Sequence, residues 1–342
     1  MAEFFLKTNQ LKIFFNKENR MVRMKKNLMI LAAALSLILS ACSGAGAGEP
    51  QEQALAVTVS ILPQAYFVDR IGGDLVTTNV MVGPGEEAHT YEPTPEQMKS
   101  LNDSRIFFSI GVEYEETWIP RFQDVNPDLR IVDSAEGIER LAMASGHHHH
   151  DGEDHGHEDH ENHEEHAHET GEGEEHQDEE RLDPHVWLSP ANGKIIAENI
   201  LQAMIDLAPE HAGTFQENYE ALINDINALD ADIQETLSGA AGGSFMVFHP
   251  AWGYFAHAYD LEQIPVQVGG QDPSPAELAE LVEIAQEENI RVVFVQPTFS
   301  TADAEAIAEE INAEVAVVNP LARDWLENLK TVSEAFADAL EN

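Results

Sequence analysis

Sixteen histidines are distributed unevenly along the 342 residues. Eleven of them crowd into one stretch: His147, His148, His149, His150, His155, His157, His160, His163, His166, His168 and His176. Positions 147–180 also hold 15 Asp or Glu and no Lys or Arg. Imidazole is a donor for zinc and other transition metals, so His-x-His pairs such as His155/His157 and His166/His168 can chelate weakly and at several sites. Nothing in this stretch can build a core, so its composition predicts a solvated loop over 145–182 that acts as an accessory metal store. The other five histidines stand alone. His89 lies in Gly83-Pro84-Gly85-Glu86-Glu87-Ala88-His89-Thr90-Tyr91-Glu92-Pro93, His185 in Asp183-Pro184-His185-Val186-Trp187-Leu188, and His249 at the end of an apolar run. Taken singly, each of these three reads as an ordinary surface or core histidine. His211 and His257, on helical segments with no turn chemistry beside them, keep that reading.

The elements that must position these residues follow from the apolar pattern. Short apolar runs recur at Leu55–Ile61, Asn79–Val82, Arg105–Ile110 and Arg130–Val132. They recur again at Ser244–His249, Ile264–Val268, Arg291–Gln296 and Glu314–Asn319. Each is followed by a helical pattern, which predicts an α/β fold of two similar lobes, each with about four βα units and a parallel sheet. The halves echo one another. Glu92-Pro93-Thr94-Pro95-Glu96-Gln97 follows the second strand and Asp272-Pro273-Ser274-Pro275-Ala276-Glu277 the sixth, each with a proline where a helix should begin. Between the halves, Phe215, Tyr219, Leu222, Ile226, Leu229, Ile233 and Leu237 form one helical stripe over Pro209–Leu237. The predicted layout is an N-terminal lobe over 55–207, a bridging helix over 208–238 and a C-terminal lobe over 239–342. In open α/β sheets, ligands bind where strands deliver their carboxyl ends to loops. His89 and His249 occupy such places, one per lobe, and His185 opens a helix-bound segment just after the acidic loop.

Charge excludes one class outright. With 18 Lys or Arg against 62 Asp or Glu, the formal net charge is −44, which repels nucleic acid. The single cysteine, Cys42, forbids an intramolecular disulfide, four-cysteine zinc sites and CxxC redox chemistry. Lys25 and Lys26 precede an apolar run that ends at Leu39-Ser40-Ala41-Cys42, which has the form of a secretory signal. That ending resembles the bacterial lipobox, whose cysteine becomes the lipidated first residue. The expected processing removes 1–41, with 1–23 upstream of a complete signal that could start at Met24, and leaves 42–54 as a lipidated tether. The mature chain then carries 11 basic and 60 acidic residues, a net −49. Its only lysines are Lys99, Lys194 and Lys330, a balance that resembles salt-adapted proteins.

Together, Pro84-Gly85…His89-Thr90-Tyr91-Glu92-Pro93, Asp183-Pro184-His185-Val186-Trp187-Leu188, Phe248-His249-Pro250-Ala251-Trp252-Gly253-Tyr254-Phe255 and Asn319-Pro320-Leu321-Ala322 resemble a known family. It is the metal-binding lipoproteins of bacterial ABC importers for zinc and manganese, in their zinc-binding branch. The resemblance covers about residues 55–342. It implies two lobes joined by a rigid helix, with a metal in the cleft between them bound by His89, His185 and His249. It also implies a lipid-anchored monomer outside the cytoplasm that carries Zn²⁺ to a membrane permease and its ATPase. The fourth donor departs from the family. Manganese-type relatives have an acidic residue at the place of Asn319, and some zinc-type relatives have a glutamate at the place of Ala88. Losing both weighs against manganese, which favours oxygen ligands, and leaves water, Glu86 or Glu87 to complete the site.

Other readings of the same residues are a manganese receptor of the same family, a metal-storage or adhesion lipoprotein, and a zinc hydrolase. Three histidines and a water would make an open catalytic zinc. However, no HExxH is present and no carboxylate is placed by spacing as a general base, so an enzyme is not expected.

Overall fold

The computed structural model describes residues 54–143, 182–267, 271, 273–299 and 301–341. The signal and lipidation site at Cys42, and the eleven histidines from His147 to His176, lie outside the described residues. No helix among the described residues is long and apolar enough to cross a membrane.

Two four-stranded, all-parallel sheets carry the fold. The first contains β1 (Leu55–Ile61), β2 (Val76–Val82), β3 (Ile106–Ser109) and β4 (Arg130–Asp133). The second contains β5 (Ser244–Val247), β6 (Glu262–Pro265), β7 (Val292–Val295) and β8 (Glu314–Val317). Their strand orders, β2-β1-β3-β4 and β6-β5-β7-β8, are the same, so the echo between the two halves is topological as well as local. The central strands are covered on both faces, as parallel sheets require. Every residue of β3 and β5 is buried. The polar residues inside β1 are paired: Thr58 Oγ1 lies 2.6 Å from Ser104 Oγ, and Ser60 Oγ lies 2.7 Å from the Tyr114 hydroxyl.

The edge strands correct the sequence reading. β2 starts at Val76 instead of Asn79, and β6 runs over Glu262–Pro265 instead of Ile264–Val268. Each pairs on one side only, with β1 or β5. An edge strand tolerates polar residues at its start, here Thr77 and Thr78, or Glu262 and Gln263, and an apolar run underestimates it.

Helices α1 (Leu62–Gly72), α2 (Pro95–Asn102), α3 (Tyr114–Val125) and α4 (Pro190–Leu207) belong to the first half. α5 (Ala212–Thr236) follows, then α6 (Gly253–Ala258), α7 (Pro275–Glu287), α8 (Thr301–Ile311) and α9 (Trp325–Glu341). The two proline-led starts are full capping boxes. Thr94 and Gln97 satisfy each other's backbone at α2, and Ser274 and Glu277 do so at α7, with Pro95 and Pro275 as first helical residues.

α5 is shorter than the 29 residues of the expected stripe, because Pro209–His211 forms a separate 3₁₀ turn and the helix ends at Thr236. At 1.5 Å per residue it spans about 37 Å. Its buried face, Phe215, Leu222, Ile226, Leu229 and Ile233, packs against α1, α4 and α9. Arg70 pairs with Asp225 at 2.6 Å, and the Tyr259 hydroxyl donates to Asp230 at 3.0 Å, so α5 is tied to elements of both halves. The hydrophobic core runs on from the first sheet, through α5, to Phe245, Phe294 and Phe336 beneath the second sheet. A smaller cluster around Met246, Ile264 and Val293 fills the other face of that sheet.

Candidate metal centre

His89, His185 and His249 converge at the carboxyl ends of the two sheets. One donor atom from each lies within 4.8 Å of the others, the only such group of three or more His, Cys, Asp or Glu among the described residues. The ring centroids form a nearly equilateral triangle with sides of 5.4, 5.1 and 5.3 Å.

The His89 loop is built locally. Gly85 takes φ +76°, where a side chain would be strained, and the Glu86 carboxylate accepts the Gly83 N–H at 2.6 Å to close the turn. Ala88 and Tyr91 are buried on either side, and the Tyr91 ring meets Tyr114 edge-on at 5.5 Å. This leaves His89 projecting from a pinned loop.

His249 lies two residues beyond the end of β5 and packs face to face on Phe299, with centroids 5.5 Å apart. His185 precedes a 3₁₀ turn, Val186–Leu188, that Trp187 locks in place. The Trp187 indole donates to the Pro320 carbonyl at 2.7 Å, and the Trp325 indole donates to the Trp187 carbonyl at 2.6 Å. The Asn319-Pro320 motif therefore serves the His185 loop from the other half of the chain.

Two carboxylates fix ring tautomers. Glu113 accepts from His89 Nδ1 at 2.5 Å, and Asp183 accepts from His185 Nδ1 at 2.7 Å. Because a carboxylate can only accept, each ring carries its proton on Nδ1 and turns the Nε2 lone pair inwards. His89 Nε2 and His249 Nε2 then face each other at 3.2 Å. Burial, followed by the charges of the other two imidazoles, pushes His249 down to about 2. It is therefore neutral, the form that can donate to a metal. Burial works to raise the Glu113 pKa, but its hydrogen bond and charge contact with His89 prevail and hold it at about 2.

A cavity of about 430 Å³ opens from the triangle, lined by Glu87, His89, Glu113, Met143, His249 and Gln267 among others. The two carboxylates suggested for a fourth position separate here. Glu86 is engaged in the turn, whereas Glu87 lies 3.7 Å from His89 Nε2 and also accepts the His89 N–H at 3.2 Å. Asn319 uses its side-chain oxygen on the Leu321 N–H at 3.0 Å. His257 is exposed on α6, and His211 sits in the 3₁₀ turn before α5, its ring against Phe215.

The sequence reading brought forward all three converging rings but named neither Glu113 nor Asp183 as their partners. Asp183, two residues before His185, could have been found from the Asp-Pro-His spacing. Glu113 lies 24 residues from His89 with no local signal.

Two topologically equivalent parallel sheets with three imidazoles gathered at their carboxyl ends define the class: an α/β protein with one candidate metal site among the described residues. The family model described as ZnuA, zinc-uptake complex component A, periplasmic, matches residues 57–339, and the chain belongs to this family. The zinc-binding lipoprotein AdcA of Streptococcus pneumoniae is 30% identical over 303 residues, covering 87% of this chain and 56% of AdcA. The chain thus spans little more than half the length of that relative. The high-affinity zinc uptake system protein ZnuA of Bacillus subtilis is 29% identical over 300 residues, covering 86% of this chain and 88% of that protein. A crystal structure of ZnuA matches with 36% identity and a TM-score of 0.72, covering 84% of this chain and 99% of the other. A zinc-bound ZnuA lacking its residues 138–173 matches with 35% identity and the same TM-score.

Proposed function

We propose that this chain is the extracytoplasmic zinc receptor of an ABC importer, lipid-anchored through Cys42, which captures Zn²⁺ and passes it to a permease driven by an ATPase. In this reading His89, His185 and His249 ligate the ion, Glu87 swings in as the fourth donor, and the histidine tract from His147 to His176 is an accessory store. The observation that carries it is the pair of inward Nε2 atoms 3.2 Å apart. Zn–N bonds of 2.0–2.1 Å in a tetrahedron place two donor nitrogens about 3.3 Å apart. Without metal, a neutral His249 can span that distance by donating Nε2–H to His89 Nε2, and zinc takes the place of that proton when both rings present lone pairs. Its pKa of about 2 leaves His249 with a single ring proton, and zinc binding requires that proton on Nδ1 so that Nε2 is free to ligate. The reading is capture and release without turnover: among the described residues, Glu113 and Asp183 are occupied in orienting imidazoles and Glu87 is assigned to the ion.

The test is chelator competition and calorimetry on the full mature chain and on a version lacking His147–Glu180. The deletion should lower total zinc per protein but leave one tight equivalent. In that background, alanine at His89, His185 or His249 should abolish the tight equivalent. Retention of wild-type affinity by all three variants, or loss of the tight equivalent on deletion alone, overturns the assignment. Glu87→Gln should weaken zinc and shift the visible spectrum of the cobalt-substituted protein; an unchanged spectrum assigns the fourth position to water.

A further inference from the structure

The residues that flank the histidine tract form a short stem, and that stem is fastened to the opposite half of the molecule by one hydroxyl. Leu141 accepts the Asp183 N–H at 2.8 Å, and Ala142 and Leu182 form an antiparallel bridge. Tyr254, 4% exposed in the first turn of α6, reaches this stem from the segment that carries His249. Its hydroxyl accepts the Leu141 N–H at 3.0 Å and donates to the Asp183 carbonyl at 3.0 Å. One phenol thus holds both strands of the stem at the level where they already hold each other.

Asp183 is also the residue that orients His185. Its Oδ1 takes both the ring Nδ1–H at 2.7 Å and the backbone N–H at 2.9 Å. Its Oδ2 presses on the start of α6, where a Cβ on Gly253 would lie only 2.7 Å away. Asp183 is therefore held at its carbonyl by Tyr254 and fitted at its carboxylate against Gly253. Both contacts come from the half of the chain that donates His249.

We infer that Tyr254 is a positioning residue that sets the His185 ring through Asp183. It couples the orientation of one proposed zinc donor to the docking of the segment that supplies another. The inference rests on the ligand reading above. If α6 moves relative to the stem, Asp183 loses its anchor and His185 its fixed tautomer, so the site is weakened at two donors by one displacement. This gives release a local route while the core under both sheets stays continuous.

His185→Ala is measured first, on the full mature chain. If it leaves the tight zinc equivalent intact, the ligand reading fails, whatever Tyr254 does. With the tight equivalent lost in that variant as expected, Tyr254→Phe removes only the hydroxyl. Replacement of an outer partner of a metal-bound imidazole costs about 10–100-fold in affinity, and one bond further out the loss should be roughly tenfold. Nitrogen NMR of the rings should show the fixed Nδ1–H signature lost at His185 and kept at His89, a pattern that general destabilisation would not produce. In an Asp183→Asn background, Tyr254→Phe should add no more than about twofold, because both act on one ring.

A measurement on the unaltered protein keeps the test open should the variant fold poorly. Coupling is reciprocal, so zinc should slow hydrogen exchange of the Leu141 amide by about the same factor that the hydroxyl adds to zinc affinity. Unchanged affinity in Tyr254→Phe, a full additional loss in the Asp183→Asn background, or Leu141 exchange indifferent to zinc would each overturn the inference.

Discussion

Glu113 is the sharpest point at which to perturb the centre, because two substitutions separate what it supplies. Glu113→Gln keeps an oxygen that can accept from His89 Nδ1 but removes the charge; Glu113→Ala removes the acceptor as well. The side chain is one-third exposed, so its shift to a pKa of about 2 overstates the usable energy and must be discounted for solvent screening. A charge-assisted hydrogen bond contributes about 1.5–3 kcal/mol and a neutral one about 0.5–1.5 kcal/mol. The charge alone is therefore worth about 1–1.5 kcal/mol, or roughly tenfold in affinity. The alanine variant also frees the ring to change tautomer and point a protonated nitrogen inwards, and should cost nearer a hundredfold. The effect should fall on zinc affinity more than on the metal-free fold, because bound zinc draws electron density from the ring and strengthens the Nδ1–H donor. Competition with a chromophoric chelator at pH ~7.5, beside thermal melts without metal, reads both. Equal affinities for wild type, Gln and Ala would refute the argument that Glu113 sets the His89 tautomer, and equal losses for Gln and Ala would refute the separation of charge from geometry.

Two further outcomes follow from burial. The folded protein holds His249 neutral down to about pH 2, while an unfolded chain protonates it near pH ~6.5. Between those values the unfolded state binds the extra proton, so this group's contribution to metal-free stability is complete above pH ~6.5 and drains away as pH falls. His249→Gln should flatten the acid limb of denaturant-derived stability by up to about 1.4 kcal/mol per pH unit, and an identical slope in both proteins would contradict the burial argument. Gly193 in α4 lies under Trp325, where an added Cβ would approach the ring to 2.7 Å. Gly193→Ala should cost about 1–3 kcal/mol by overpacking, read as a lower melting temperature, and an unchanged melt would mean that the indole moves freely.

What could be read from the sequence was what is local or periodic. The α5 stripe, the proline-led starts at Pro95 and Pro275 and the central strands all announce themselves within a few residues. Edge strands β2 and β6 began earlier than their apolar runs, because one-sided pairing lets Thr77 and Glu262 join a sheet without burial. The capping oxygens of Thr94 and Ser274 were also legible by rule, since Gln97 and Glu277 follow at the required spacing. The three histidines were located by motif, and no pattern in the sequence states that their rings should lie about 5 Å apart. Their partners were harder still: Glu113 and His89 are brought together only by the packing of β2 beside β1 and β1 beside β3. Tyr254 meets Leu141 across 113 residues, and no spacing rule operates at that range.

Under the proposed reading, those distant partners bear on how a tight site could also release its ion. The Trp187–Pro320 and Trp187–Trp325 hydrogen bonds, the Arg323–Asp69 pair at 2.6 Å and the core through α5 all tie the two halves together. A wide hinge opening would break all of them at once. The three imidazoles, by contrast, are held by few and separate contacts: His89 by Glu113, His185 by Asp183, and His249 by its packing on Phe299. Metal affinity depends steeply on ring orientation, so a shift of about 1 Å in any one holder changes occupancy without unfolding a core. The division of labour is physical: buried apolar area keeps the frame, and single charge-assisted hydrogen bonds at its edge set the grip. In the proposed reading, a permease that contacts the rim of the cavity would need only to compete for one of those hydrogen bonds.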